Sequence, residues 1–274
     1  MGVSGEDSPM TPSGDSIATY DHREFPAAVL AEMKGGHRLS VCIPARDEAA
    51  TIGPIVAAIA DELLGGLVDE LVVVDDGSRD ATAAIAERYG ALVVPSEPPT
   101  GGAPTSRGKG EAMQAGLDAT SGDLVVFLDG DVTNFASFFV SGLVGPLLLR
   151  PSVMLVKGRY LRPLDGAPTG GGRVTELVAR PLLSLLFPEL IGVAQPLAGE
   201  TAVRRAALDG IELSTGYGVE IALLIDLAER FGPAGLAQVD LGIRSHRNRP
   251  LEALAPQARA VLAAALARAG IPAQ

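Results

Sequence analysis

The stretch LVVFLDGD, residues 124–131, decides the fold class of this chain. Its first five residues are apolar, and a short apolar run of this kind is typical of a strand that is buried on both faces. Asp129-Gly130-Asp131 follows directly, so that two carboxylates one residue apart stand where the strand ends. Such a pair can hold a hard divalent cation, although Asp and Gly also end strands in ordinary turns.

Towards the N-terminus, apolar runs alternate with stretches of helical spacing at the interval of βαβ units. The pattern predicts strands at 39–43, 70–74, 91–94 and 123–128, and helices at 51–64, 80–89 and 110–119. This alternation favours an α/β fold with a largely parallel sheet.

Three of these strands end in polar residues that suit a ligand site. The segments are 44–48 (Pro-Ala-Arg-Asp-Glu), 75–78 (Asp-Asp-Gly-Ser) and 129–131. The carboxyl ends of parallel strands open on one edge of the sheet, where α/β proteins bind ligands. Each segment alone is more simply a turn, but three carboxylate-bearing ends together favour a site.

The remaining segments are less regular. Residues 1–20 are predicted to be disordered because they are rich in Ser, Gly, Asp, Pro and Thr, and 22–35 to form a short helix. In the second half we predict helices at 138–149, 174–186, 219–230 and 251–269, strands at 153–160, 196–204 and 235–241, and a loop at 163–172.

Composition excludes several classes of protein. The chain has 274 residues, 47% of them hydrophobic, and a formal net charge of −11. This charge argues against a general nucleic-acid-binding surface, which needs clustered Lys and Arg. No apolar run reaches the roughly 20 residues that span a bilayer, and the acidic N-terminus lacks the features of a secretory signal, so we expect a cytoplasmic protein without a membrane span.

A specific family resemblance rests on the order of several motifs. The first half carries P-A-x-x-E at 44–48, V-V-D-D-G-S-x-D-x-T at 73–82, G-K-G-x-A at 108–112 and D-x-D at 129–131, and it resembles the GT-A glycosyltransferase superfamily. The second half resembles the retaining glucosyl-3-phosphoglycerate synthases and the related mannosyl-3-phosphoglycerate synthases of actinobacteria. Its motifs lie at 157–163, 170–177, 195–200, 216–220 and 246–250.

The resemblance implies a GT-A fold with a Rossmann-like, mainly parallel sheet and helices on both faces. It divides the chain into a partly disordered N-terminal extension (1–37), a nucleotide-sugar-binding half (38–135) and an acceptor-binding half (136–274). It implies a donor nucleotide site at Pro44, Ala45, Glu48, Asp76, Lys109, Asp129 and Gly130, with Glu48 on the ribose. It also implies a Mg²⁺ or Mn²⁺ ion held by Asp131 and His246.

The acceptor implied by the resemblance is 3-phosphoglycerate, at Gly172, Arg173, Thr175 and Asn248. The residue types agree, because glycines before a predicted helix allow close approach and the helix start offers its amides to an anion. The alternative for 170–172 is a flexible linker. Glu200, Glu220 and Arg173 are the candidate catalytic residues. No motif identifies a nucleophile, and Glu220 is also explained as a carboxylate at a helix N-terminus.

The expected reaction is transfer of glucose from UDP-glucose to the 2-hydroxyl of 3-phosphoglycerate with retention at the anomeric carbon, by a homodimer. The alternatives are a GDP-mannose-dependent mannosyl-3-phosphoglycerate synthase, a polyprenyl-phosphate sugar transferase and a non-catalytic nucleotide sensor. A nicotinamide dehydrogenase is set aside, since P-A-R-D-E replaces G-x-G-x-x-G after the first strand. The chain ends at Gln274, before the longer C-terminal tail of the relatives, so a tail-dependent dimer or lid is in question.

Overall fold

The structure is a computed structural model that describes residues 17–96, 108–164, 167–245 and 251–272. Its strands, in chain order, are β1 (Ala18–Asp21), β2 (Leu39–Ala45), β3 (Glu70–Asp75), β4 (Leu92–Pro95), β5 (Leu124–Phe127), β6 (Leu155–Leu161), β7 (Pro163–Leu164), β8 (Ala167–Gly170), β9 (Thr201–Arg204) and β10 (Leu236–Ile243). In the described part of the chain, eight of them form one sheet in the order β1-β10-β6-β9-β5-β2-β3-β4, and β7 pairs with β8.

The sheet is mainly parallel, as predicted. Within this eight-stranded sheet, as far as the structure describes it, only β9 runs antiparallel, and it lies between β5 and β6. The other neighbours, including β2 with β3 and β5, pair in parallel. The carboxyl ends of β2, β3 and β5 therefore lie side by side at one edge of the sheet, where the sequence predicts a site.

Helices cover both faces of the sheet. Their bounds are α1 (Ala27–Met33), α2 (Ile52–Glu62), α3 (Thr82–Arg88), α4 (Lys109–Asp118), α5 (Phe138–Leu149), α6 (Arg180–Leu186), α7 (Val219–Phe231) and α8 (Ala255–Arg268). The residues of α1, α2, α3 and α5 join the core on one face, and those of α4, α6, α7 and α8 join the core on the other. None of the helices in the described ranges is long and apolar enough to cross a bilayer.

The apolar strands bury side chains on both faces because successive residues of a strand point in opposite directions. In β5, Val125 and Phe127 pack into the core with α7, whereas Leu124 and Val126 pack into the core with α2 and α5. Every residue of β5 is buried. An uninterrupted apolar run is thus what a strand in this position needs.

Two expectations for irregular segments are wrong. Residues 18–20, predicted to be disordered, belong to β1, which pairs in parallel with β10 at the edge of the sheet. The side chain of Gln238 on β10 donates to Thr19 Oγ1 (3.3 Å). The stretch 163–172, predicted as a loop, contains the β7–β8 pair. β1 forms because it pairs with a strand far away in sequence, and β7 and β8 form because they pair with each other across a turn. Local composition does not encode such pairing.

The N-terminal segment also packs against α5 on the same face. His22 stacks on Phe138, with ring centroids 4.2 Å apart, and its Nδ1 lies 2.9 Å from the carbonyl oxygen of Asp240. The ring of Phe25 is buried against Gly145, where a methyl group would overlap it. Part of the predicted N-terminal extension is therefore integrated into the fold.

Candidate active site

A cleft of about 880 Å³ opens where β2, β3 and β5 end. It is lined by the segments that follow these strands, by residues 172–175 and by the segment that leads into α7. Residues that the family resemblance implies for the donor and for the acceptor therefore line one cleft.

Hydrogen bonds tie the three strand ends together. The hydroxyl of Thr51 donates to the carbonyl of Gly130 (2.6 Å), and the amide of Asp76 donates to the carbonyl of Ala45 (2.9 Å). A methyl group on Gly130 would lie 3.4 Å from the Cβ of Ala45. The D-x-D segment is consequently held against the Pro44–Glu48 segment, and both line the cleft.

Lys109 lies at the start of α4 and joins two carboxylates from different halves of the chain. Its Nζ is 2.5 Å from Asp129 Oδ1 and 2.6 Å from Glu220 Oε1. Burial disfavours the ammonium charge, but the charges of Asp129 and Glu220 outweigh it and hold the pKa of Lys109 above its usual value. Lys109 therefore stays protonated in the cleft.

The turn before α4 places Lys109 opposite Glu220. Gly108 has φ +125°, and a side chain there would come within 2.9 Å of the Cα of Gly216. The carboxylate of Glu111 accepts a hydrogen bond from the amide of Gly216 (2.9 Å). Close backbone contact thus fixes the G-K-G motif against the segment that leads into α7.

Arg244, which follows β10, is 2% exposed and contacts three carboxylates. Its Nη2 lies 2.6 Å from Asp129 Oδ2 and 2.9 Å from Asp131 Oδ1, and its Nε lies 2.6 Å from Glu200 Oε1. Burial opposes its charge, but Glu200 and the two aspartates hold the pKa of Arg244 well above its usual value. The guanidinium fixes both carboxylates of the D-x-D pair.

Asp129 remains ionised in spite of its burial. Burial alone would raise the pKa of its carboxyl, but the charges of Lys109 and Arg244 hold that pKa well below its usual range. Gly199 packs directly against this carboxylate, and a methyl group at Gly199 would overlap it. The side chain of Asp129 is thereby confined to one position.

A buried lysine lies beneath the segment that carries Gly199. Lys157, on β6, is 3% exposed and donates to the carbonyl of Ala198 (2.6 Å) and to Thr201 Oγ1 (2.9 Å). Burial lowers the pKa of Lys157 to about 8, against the opposing charge of Glu220. This lysine lies below the floor of the cleft and does not line it.

The acceptor side combines a glycine turn with a helix start. Gly172 has φ +74°, a conformation that favours glycine, and its carbonyl accepts from the amide of Glu176 (3.0 Å). Arg173 and Thr175 follow and line the cleft with it. A π-helical turn at Thr175–Ala179 leads into α6. The amides of this helix start are suited to an anion, as the sequence predicts.

The structure brings most of the predicted site residues to one cleft. Those that line it are Pro44, Ala45, Glu48, Asp76, Lys109, Asp129, Gly130, Asp131, Gly172, Arg173, Thr175 and Glu220. Glu200 lies behind the wall and is fully buried, with Oε1 bound to Arg244 and Oε2 accepting from the hydroxyl of Tyr160 (2.6 Å). His246 and Asn248 lie outside the described residues.

Sequence reasoning missed Arg244 and Tyr160. Arg244 lies three residues beyond the predicted strand 235–241. A cation at the end of a buried strand is the feature that could have identified it as a site residue. Tyr160 was assigned to a strand without a role. Its burial raises the pKa of its hydroxyl, so it stays neutral and donates to Glu200.

The residues of the cleft fit a divalent cation. Among the described residues, no group of three or more His, Cys, Asp or Glu side chains forms a complete metal site. The carboxylate of Asp131 does line the cleft, beside that of Asp129, and it is about a quarter exposed. Mg²⁺ and Mn²⁺ accept one or two carboxylates together with phosphate oxygens of a substrate, so this donor set is suitable.

The fold and the cleft together define a class of protein. A mainly parallel sheet whose strand ends carry a D-x-D pair, in one cleft with a glycine turn and a helix start, is the arrangement of nucleotide-sugar glycosyltransferases with a GT-A fold. The family model for glycosyl transferase family 2 matches residues 40–168.

Individual relatives narrow the class. Glucosyl-3-phosphoglycerate synthase of Mycobacterium tuberculosis is 50% identical over 250 residues, which cover 89% of this chain and 77% of that protein. The synthase of Mycolicibacterium smegmatis is 49% identical over 257 residues, covering 92% and 84%. A crystal structure of the M. tuberculosis synthase with Mn²⁺, UDP-glucose and phosphoglyceric acid matches with a TM-score of 0.86 at 47% identity, covering 94% of this chain and 89% of that chain. The chain belongs to the glucosyl-3-phosphoglycerate synthase family.

Proposed function

We propose that this protein transfers glucose from UDP-glucose to the 2-hydroxyl of 3-phosphoglycerate, with retention at the anomeric carbon. One observation carries the proposal: the carboxylate-bearing strand ends and the Gly172–Thr175 helix start line the same cleft. A nucleotide sugar and a small acceptor with two anionic groups require such a pair of subsites in one cleft. The family assignment identifies the two substrates.

The donor is proposed to bind along the strand ends. Pro44, Ala45 and Glu48 line the nucleoside, with Glu48 on the ribose and Asp76 at the base. Asp129 and Gly130 lie beside the ribose and diphosphate. Asp131 and His246 would hold a Mg²⁺ or Mn²⁺ ion, which would supply Lewis-acid chemistry for the diphosphate.

The charges of the cleft favour departure of the diphosphate. When the bond between the anomeric carbon and UDP breaks, negative charge develops on the leaving phosphate oxygen. Lys109 and Arg244 are fixed cations that line the cleft, and they are proposed to lie near this oxygen, where preorganised charges stabilise a transition state strongly. The acceptor hydroxyl forms the new bond from the same face and transfers its proton to the leaving phosphate oxygen.

The two candidate carboxylates have different surroundings. Glu220 lines the cleft next to Lys109 and is proposed to orient the sugar hydroxyls. Glu200 remains a proposed catalytic residue, but both its oxygens are engaged by Arg244 and Tyr160, which supports a positioning role. We would replace each by Gln. If a variant loses turnover but still binds UDP, the replaced glutamate has a direct role in catalysis. Near-normal turnover in both variants would contradict a catalytic role for either glutamate.

The acceptor is proposed to bind at the start of the π-helical turn. Gly172 and Thr175 offer backbone amides and a hydroxyl to its phosphate, and Arg173 adds a guanidinium fork. Asn248 is proposed as a further contact. The division of the chain at residue 135 into donor and acceptor halves is part of the same proposal.

We further propose a homodimer in the cytoplasm. Three large apolar side chains between residues 177 and 191 are unusually exposed, namely Leu177 (73%), Leu185 (80%) and Ile191 (63%). Such side chains often mark a surface that a partner covers. The location rests on the substrates alone, because charged metabolites do not cross bilayers unaided. Light scattering after size-exclusion chromatography tests the dimer, and a monomer at micromolar concentration contradicts it.

The decisive experiment is UDP release from UDP-glucose with 3-phosphoglycerate and Mg²⁺, with and without EDTA. We expect release that needs both the metal and the acceptor, and much less release of GDP from GDP-mannose. Release without 3-phosphoglycerate, or with a polyprenyl phosphate in its place, would overturn the assignment of the acceptor.

A further inference from the structure

Arg162 is a cation of the cleft wall that the proposed function does not use. It follows β6 directly and lines the cleft beside Gly172. Its carbonyl accepts from the amide of Gly171 (3.1 Å), and a methyl group on Gly171 would lie 2.7 Å from the Cβ of Arg162. Arg162 is thus held against the glycine turn of the acceptor side.

In the described part of the chain, the charges of Glu200 and Asp129 act on Arg162 only from beyond ion-pair distance. No carboxylate in this part of the chain forms an ion pair with it, whereas Arg244 contacts three. Its Nη2 donates to the hydroxyl of Tyr160 (2.8 Å), and its Nε is buried without a hydrogen-bond partner. A largely buried guanidinium that no carboxylate contacts directly keeps donors for a ligand, so an anionic ligand at this place would gain a strong interaction.

Tyr160 holds the guanidinium in place. The Cζ of Arg162 lies 5.0 Å from the centre of the Tyr160 ring. The hydroxyl of Tyr160 donates to Glu200 and therefore presents its oxygen as an acceptor to Arg162. Glu200 is bound in turn to Arg244, which contacts Asp129. A continuous hydrogen-bonded chain thus runs from Arg162 to the donor side of the cleft.

We propose that Arg162 binds the carboxylate of the acceptor, an inference that rests on the proposed function. The reacting 2-hydroxyl of 3-phosphoglycerate is on the carbon that carries the carboxylate, whereas the phosphate is one carbon further away. Arg162 lies between the helix start, proposed for the phosphate, and the side chains that lead to Asp129. Its fork geometry suits a planar carboxylate.

The test compares two ligands that differ in this one group. Binding of 3-phosphoglycerate and of glycerol 3-phosphate, which lacks the carboxylate, is measured by calorimetry with UDP and Mg²⁺ present. We expect Arg162→Gln to lower the affinity for 3-phosphoglycerate about 10- to 100-fold, which is the usual range for a hydrogen bond to a charged group. The affinity for glycerol 3-phosphate should fall by less than about 3-fold. The affinity of Arg162→Lys for 3-phosphoglycerate should lie between those of the wild type and Arg162→Gln, because lysine keeps the charge but not the fork geometry.

Controls separate this inference from the proposed function. Arg159→Gln removes the same charge from β6, three residues before Arg162, at a half-exposed position beside Asp240, and should leave both affinities unchanged. Unaltered UDP binding shows that the donor side of Arg162→Gln is intact. An equal loss of affinity for both ligands would place the contact at the phosphate and overturn the assignment. Unchanged affinity for both ligands would also overturn it. Failure of the wild-type protein to bind 3-phosphoglycerate refutes the proposed function instead.

Discussion

At the scale of single residues, close packing fixes the charges of the cleft. Gly199 leaves no room for a side chain next to Asp129, and Asp129 is bound from two sides by Lys109 and Arg244. Because removal of either cation would take a counterion from the carboxylate of Asp129, the three side chains act as one unit. Substitutions within such a unit are expected to be non-additive.

Gly199→Ala tests this confinement. The added methyl group would displace the carboxylate of Asp129, so we expect weaker UDP and Mn²⁺ binding and a fall in kcat/KM of about 10-fold or more, equivalent to roughly 1.4 kcal/mol. Titration of the nucleotide and steady-state UDP release measure the two effects. Gly192→Ala is the matched control, since nothing lies within 4 Å of a methyl group there. Similar kinetics in both variants would contradict the expectation.

The buried Lys157 predicts a pH dependence of stability. Its pKa of about 8 in the folded protein is below the ordinary lysine value of 10.5, so the unfolded chain binds more protons between these values. Stability must then rise with pH in this window, because neutralising the lysine removes the penalty of a buried charge.

We would measure this effect in urea titrations of the wild type and Lys157→Met. The free energy of unfolding of the wild type, relative to the variant, should rise by about 2 kcal/mol from about pH 7.5 to about pH 9.5. The substitution also removes hydrogen bonds to Ala198 and Thr201, but that loss shifts the whole curve and not its slope. Parallel curves would show that Lys157 does not titrate in this window.

At the scale of elements, local pattern predicted what lies within a βαβ unit. Continuous apolar runs identified β2, β3 and β5 because these strands are buried on both faces, and Asp129-Gly130-Asp131 was recognised because it follows such a run. The predicted helix over 138–149 has the bounds of α5. The family resemblance is confirmed by relatives with about half of their residues identical.

Contacts between distant segments were beyond the reach of these patterns. β1 exists because β10 offers it an edge, and Ala18–Asp21 carries no strong strand pattern of its own. Arg244 and Tyr160 are connected to the site through Glu200, a candidate catalytic residue that is buried behind the wall. Charges that are paired three-dimensionally leave no periodic signal in the sequence.

The contact between the N-terminal segment and α5 gives a prediction at this scale. Gly145→Ala should destabilise the protein by about 1–3 kcal/mol, although alanine favours a helix, because the ring of Phe25 occupies the space of the new methyl group. Chemical denaturation measures the loss. In the background of Phe25→Ala the same substitution should cost nothing or stabilise. Equal costs in both backgrounds would refute the contact.

At the scale of the whole molecule, ligand binding should stabilise both halves together, because the cleft is lined by each of them. With UDP and Mn²⁺ at about 100 times the dissociation constant, we expect a gain of about 2.7 kcal/mol and a rise in Tm of roughly 5–10 °C. Differential scanning fluorimetry records it. EDTA and Asp131→Asn should each abolish the metal-dependent part, and an undiminished rise under either condition would contradict a role of Asp131 in metal binding.

The position of β1 also bears on how the chain is made. Thr19 and Gln238, joined across the β1–β10 pair, are 219 residues apart in sequence. A ribosome adds about 5–20 residues per second, so the early segment emerges roughly 10 to 45 s before its partner strand. During that interval the backbone groups of β1 are without their native partner, and for about the first half of it the ring of Phe25 lacks its contact with Gly145. Nascent chains of this protein are therefore expected to rely on chaperones until β10 has been synthesised.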